Sequence, residues 1–320
     1  MHYWFPRLTM IAAGVLFAGA TVIGQTPAHR APLRTPWGDP DLQGLWTNAT
    51  ITPFERPATM SGKPVLTEQE AAEFEKETLR ARDADSRAGG TDADLARAYN
   101  QFWYDRGTKV VGTRRTSLVV DPPDGRVPML IPAAQQRADA RLAARRRSPA
   151  DGPEDRSLVE RCILWPVAGP PMIPGGYNNN YQILQTPGYV AILIEMIHDV
   201  RIIPLDGRAH APSSIQQWMG DSRGRWDGNT LVVTTTNFTG KTNFRGSSEH
   251  LRLVERFTRV DPSTIDYEFT IDDPASFPRP WTAAIPMTKT DGPIFEYACH
   301  EGNYGMTNLL SGARAEEQSK

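Results

Sequence analysis

Near the C-terminal end of this 320-residue chain, Tyr297-Ala298-Cys299-His300-Glu301 puts a phenol, one of two cysteines, one of six histidines and a carboxylate into five positions. A second concentration of ionisable groups is Glu195-Met196-Ile197-His198. An imidazole titrates near neutral pH and moves protons without a metal. His198 and His300 are therefore the candidate general acids or bases, with Glu195 or Glu301 as the carboxylate beside them. A carboxylate such as Glu195, interrupting the apolar run "YVAILIEMI", must be paired if buried; Arg201 is the expected partner in a purely structural role. The run "GGYNNNYQ" offers amides and phenols that orient a polar ligand, or simply a tight loop. Tyr177, Asn179, Tyr181, Arg201 and Tyr297 are the candidate substrate-binding residues.

Other chemistries find less support. Glu195-x-x-His198 would place two metal ligands together on a helix, but its β-branched neighbours predict a strand, where positions i and i+3 face opposite sides. His198, His210, His250 and His300 include no H-x-H or H-E-x-x-H spacing. The expectation is no metal and no cofactor, a divalent ion held by two of these histidines and a carboxylate being the alternative. There is no G-x-S-x-G, no dinucleotide fingerprint and no phosphate-cradling glycine loop. Arg145-Arg146-Arg147 closes a predicted helix, where cations suit the helix dipole, and the net charge of −2 gives no bias toward nucleic acid.

The elements that must position these residues follow from patterning. Residues 1–24 have the layout of a secretory signal peptide, a short start with Arg7 and then an apolar run ending in small residues. Export makes a Cys162–Cys299 disulfide the expected state, rather than a thiolate nucleophile or two metal ligands. Closing so long a loop contributes roughly 4–5 kcal/mol in the chain-entropy picture. Residues 25–60 read as an extended arm with one strand, "LQGLWTN". Residues 61–150 read as a helical cover with helices over 67–83, over 92–104 and from Pro132. The first opens on the capping box Thr67/Glu70. Between the last two, "RRTSLVVDPPDGRVPMLIP" reads as strand, turn and strand. From 151 to 320 the chain reads as an antiparallel β domain, forming one globular unit with the cover. In "TIDYEFTI", Ile265, Tyr267, Phe269 and Ile271 share one face. Asp-Gly pairs at 206–207, 227–228 and 291–292 signal hairpins. The fold class is mainly β: an antiparallel up-and-down barrel or sandwich, with three helices in the N-terminal half.

Gly44-x-Trp46 resembles the opening motif of lipocalin-type barrels. That resemblance implies a tryptophan plugging the closed end of the barrel; an arginine to cover it is not evident in the final strand. More broadly, "TPWGDPDLQGLWTN", "PPMIPGGYNNNYQILQTP", "EMIHDVRIIPLDG", "QWMGDSRGRWDGNTLVVTTTNF" and "YACHEGNY" together resemble a family of uncharacterised exported bacterial proteins, which implies no activity. The favoured reading is a periplasmic or secreted enzyme, a lyase, isomerase or hydrolase, working on a small organic molecule in a barrel cavity by His/carboxylate acid-base chemistry. The alternatives are a lipocalin-like carrier of a hydrophobic ligand and a partner-binding module. The expected partner is a small molecule, with no nucleic acid and no membrane after signal cleavage.

Overall fold

Alternation of apolar and polar side chains builds the sheet. In β9 (Thr264–Asp272), Ile265, Tyr267, Phe269 and Ile271 are fully buried while Asp266, Glu268 and Thr270 lie on the other face. The structure, a computed structural model, describes residues 1–2, 33–86 and 100–319. The predicted signal peptide and most of the predicted helix over 92–104 lie outside the described residues. Among those described, no helix is long and apolar enough to cross a membrane.

The strands run in chain order: β1 (Gly44–Thr47), β2 (Val119–Asp121), β3 (Asn180–Thr186), β4 (Tyr189–Ile194), β5 (Val200–Pro204), β6 (Asp221–Asp227), β7 (Thr230–Thr236), β8 (Arg252–Asp261), β9, β10 (Trp281–Ala284) and β11 (Met287–Lys289). Every ladder is antiparallel, in the order β5-β4-β3-β1-β11-β9-β8-β7-β6. This is an up-and-down barrel that is nearly closed. Its first and last strands, β1 and β11, are laddered together, and the one seam without a ladder lies mid-chain, between β5 and β6. At that seam Gly224 leaves room for Leu205 and Ile203: a Cβ there would lie 2.6 Å and 2.8 Å from their side chains. Of the three Asp-Gly pairs, Asp227-Gly228 turns a hairpin between β6 and β7; residues 206–207 lie in the unladdered β5–β6 connection and 291–292 simply follow β11. Around Asp124-Gly125 only the first predicted strand forms, as β2, which pairs with β10.

The barrel interior is filled. Trp46, Tyr181, Phe257, Tyr267, Phe269 and Trp281 are each at most 1 % exposed. Burying such side chains contributes on the order of 2–3 kcal/mol each. The cavity predicted inside the barrel is therefore absent at these positions, because aromatic rings occupy it. Trp46 donates from Nε1 to the Leu42 carbonyl (2.9 Å), and the Arg259 guanidinium lies 5.2 Å from its ring centroid. The arginine over the tryptophan thus comes from β8 rather than from the final strand.

Three helices are described: α1 (Glu68–Arg82), α2 (Pro132–Arg147) and α3 (Tyr304–Gln318). Two match the predicted helices at 67–83 and from Pro132; the third is C-terminal, where none is predicted. The α1 capping box forms as predicted, with Glu70 N–H donating to Thr67 Oγ1 (3.2 Å) and Thr67 N–H donating to Glu70 Oε2 (2.9 Å).

Candidate functional site

The residues singled out at 195–198 make the turn between β4 and β5. Ile197 and His198 both adopt left-handed backbone conformations, φ 68° and 50°. For an isoleucine this is strained, by about 1–3 kcal/mol, so the surroundings must hold it. They do so through Glu195, which is 1 % exposed. Its Oε2 accepts from Asn180 N–H (3.2 Å) and Asn180 Nδ2 (2.8 Å), and its Oε1 accepts from Phe295 N–H (2.9 Å). His198 Nδ1 lies 2.6 Å from the Tyr297 carbonyl oxygen. A carbonyl only accepts, so Nδ1 carries the hydrogen and Nε2 is the basic nitrogen of the neutral ring. Two positions on from Tyr297, Cys299 is joined to Cys162 by a disulfide.

Segments near 180, 198 and 297 therefore meet at one end of the barrel. The segment over 293–299 forms no strand and crosses this end as a strap, with the Phe295 amide donating to Glu195 and the Tyr297 carbonyl accepting from His198. Under the strap is a pocket of about 350 Å³ lined by Trp103, Tyr104, Tyr177, Asn178, Glu296 and Tyr297, with Ala298 and Cys299 completing it. Trp165 backs it, its ring centroid 6.0 Å from Tyr177 and 6.4 Å from Tyr297. Asn179 is buried beneath the pocket and acts on the loop itself: Gly175 N–H donates to its Oδ1 (2.6 Å), and its Nδ2 donates to the Asp105 and Gly175 carbonyls. Desolvation raises the Asp105 carboxyl above the usual range; the nearby Glu195 charge adds to this and hydrogen bonds from Asn179 oppose it.

Arg201 is 4 % exposed but does not pair with Glu195. It makes a two-pronged contact with Glu255 in β8, Nη1 to Oε1 at 3.0 Å and Nη2 to Oε2 at 2.5 Å. Tyr267 donates its hydroxyl hydrogen to Glu255 Oε1 (2.9 Å) and accepts from Met172 N–H (3.0 Å). Burial alone would lower the Arg201 guanidinium; Glu255 more than offsets it and holds the value above the ordinary one. Tyr181 is also in the interior, hydrogen-bonded to Asn48 Nδ2 (3.3 Å), and burial raises its phenol. Arg201 and Tyr181 are thus part of a polar thread through the packed barrel rather than ligand contacts at the pocket.

Of the predicted catalytic set, Glu195 and His198 are brought together at the strap. His300 and Glu301 are exposed in the turn ahead of α3, and neither lines the pocket. Of the predicted binding residues, Tyr177 and Tyr297 line it; Asn179, Tyr181 and Arg201 do not. Trp103, Tyr104 and Glu296 were not singled out by sequence reasoning. The available signal was "QFWYD", three successive aromatics in a polar stretch. Among the described residues no three His, Cys, Asp or Glu side chains gather as a metal site would require. No protein-family model, no curated protein and no solved structure matches the chain.

Proposed function

We propose that this chain is an exported protein that binds a small organic molecule in the aromatic pocket under the 293–299 strap. The observation that carries this reading is the pocket's make-up. It is a concave space of about 350 Å³ in which four aromatic side chains converge with one amide and one carboxylate, the composition of a small-molecule site. The disulfide between Cys162 and Cys299 supports the export part of the reading, because such bonds persist in oxidising compartments. Intrinsic tryptophan emission tests the binding part, since Trp103 lines the pocket and Trp165 backs it. Small-molecule fragments that shift the emission are expected to lose at least tenfold in affinity in Trp103→Ala and Tyr297→Ala, and again when the disulfide is reduced and the strap is released. Fragments that bind both variants as well as the parent chain would place the ligand elsewhere and end this reading.

A second reading, acid-base turnover by His198, is favoured by one feature. The Tyr297 carbonyl fixes the ring's tautomer and leaves Nε2 basic, on a strained turn that three N–H donors to Glu195 hold in place. In that case His198→Gln abolishes turnover of a bound compound and leaves its affinity unchanged. Turnover that survives the substitution removes His198 from any mechanism.

A further inference from the structure

The pocket's charge and ring content together specify what kind of molecule it suits. We infer that its ligand carries a weakly hydrated organic cation, such as a quaternary ammonium group; this rests on the binding reading above. Trp103, Tyr104, Tyr177 and Tyr297 supply π surfaces, and Glu296, exposed on the strap, is the one charged side chain in the lining among the described residues. Among the described residues no lysine, arginine or histidine is in it. Aromatic faces carry negative potential and attract cations, most strongly those that give up water easily. A neutral apolar ligand would gain nothing from Glu296, and an anion would be repelled by it.

The surrounding charges agree with this assignment. Behind the pocket floor, the Asp105 and Glu195 carboxylates lie close enough that one raises the other's carboxyl. An opposing charge comes from Arg106, whose guanidinium sits 3.6 Å from the Tyr104 ring centroid. One ring of the set thus holds a planar cation from this same chain, an internal instance of the contact proposed for the ligand. Arg106 in turn faces Arg82, whose guanidinium burial lowers, with Arg106 adding to that. Arg106 is thus engaged on the Tyr104 ring, whereas Glu296 and Tyr297 belong to the strap.

The deciding experiment compares choline with 3,3-dimethylbutan-1-ol, its neutral counterpart of nearly the same shape, by calorimetric titration of the full chain. Choline is expected to bind at least about fivefold more tightly, the gain that cation–π contact and one carboxylate supply. Glu296→Gln should reduce that preference several-fold and leave the neutral alcohol's affinity unchanged; because Glu296 is exposed, the variant is expected to fold. Equal affinity for the two compounds, lost in both for Trp103→Ala, would overturn the charge assignment while the binding reading stands. Absence of binding by both compounds and by every neutral aromatic fragment would overturn the two together.

Discussion

Single residues at the barrel's end act by hydrogen-bond saturation. Glu195, itself buried, accepts from three N–H groups. Glu195→Ala leaves all three without an acceptor and is expected to lower the unfolding free energy by about 2–4 kcal/mol in urea titrations. A loss below about 1 kcal/mol would mean that water reaches these donors and that the carboxylate is not what fixes the strap. Glu255 is a different case, because its partner is a buried charge. Glu255→Gln leaves Arg201 uncompensated and should cost about 3–5 kcal/mol, whereas Arg201→Met combined with Glu255→Leu should recover most of it. If the double variant is as unstable as the single one, the pair's hydrogen bonds to Ser222 and Tyr267 outweigh its charge balance.

At the scale of elements, α1 and the strap show two ways of ending a segment. The start of α1 is held by its capping box and by Lys63 against Glu70. Lys63 first, then the Thr67 amide, hold the Glu70 carboxyl down at about 2, against 4.5 ordinarily. A depressed folded-state value means that the ionised form favours the folded helix start. Its contribution is whole above pH about 4.5 and is lost as pH falls toward about 2. A carboxyl titration by NMR should place the Glu70 midpoint near 2, and Lys63→Ala should raise it; a midpoint near 4.5 in the parent chain would show that the box does not persist in solution. The strap has no regular structure of its own. It is fixed by a carboxylate, an imidazole and a disulfide, each reaching in from another part of the chain.

For the whole molecule the open question of closure falls on the β5–β6 seam. With no ladder there, the barrel is held shut by Arg201 Nη2 donating to Ser222 Oγ (3.3 Å) and by Leu205 and Ile203 packed onto bare Gly224. Gly224→Val forces those side chains aside and is expected to cost about 1–3 kcal/mol, with faster amide exchange concentrated in β5. Unchanged exchange in β5 would show that the seam has slack. The pocket lies at one end of this barrel. The β3 start, the β4–β5 turn and the strap all fall at that end.

Local patterns in the sequence determined the local structure. The period-two run in β9, the Thr67/Glu70 box, Pro132 at the start of α2 and the Asp227-Gly228 hairpin each depend on neighbours within a few residues, so they are legible without the fold. The same short-range signals pointed to an antiparallel barrel or sandwich, and the pairing of the two cysteines followed from their number and the expected export. What the tertiary structure alone decided is where side chains from distant segments end. Arg201 meets Glu255 rather than Glu195 because β5 and β8 face one another across the interior. Glu195 serves a strap 100 residues away. The barrel is solid because six large rings from five strands converge. Such contacts join residues with no fixed spacing in the chain, so no periodicity records them, and the site they leave is at the rim, where the chain passes over the barrel's end.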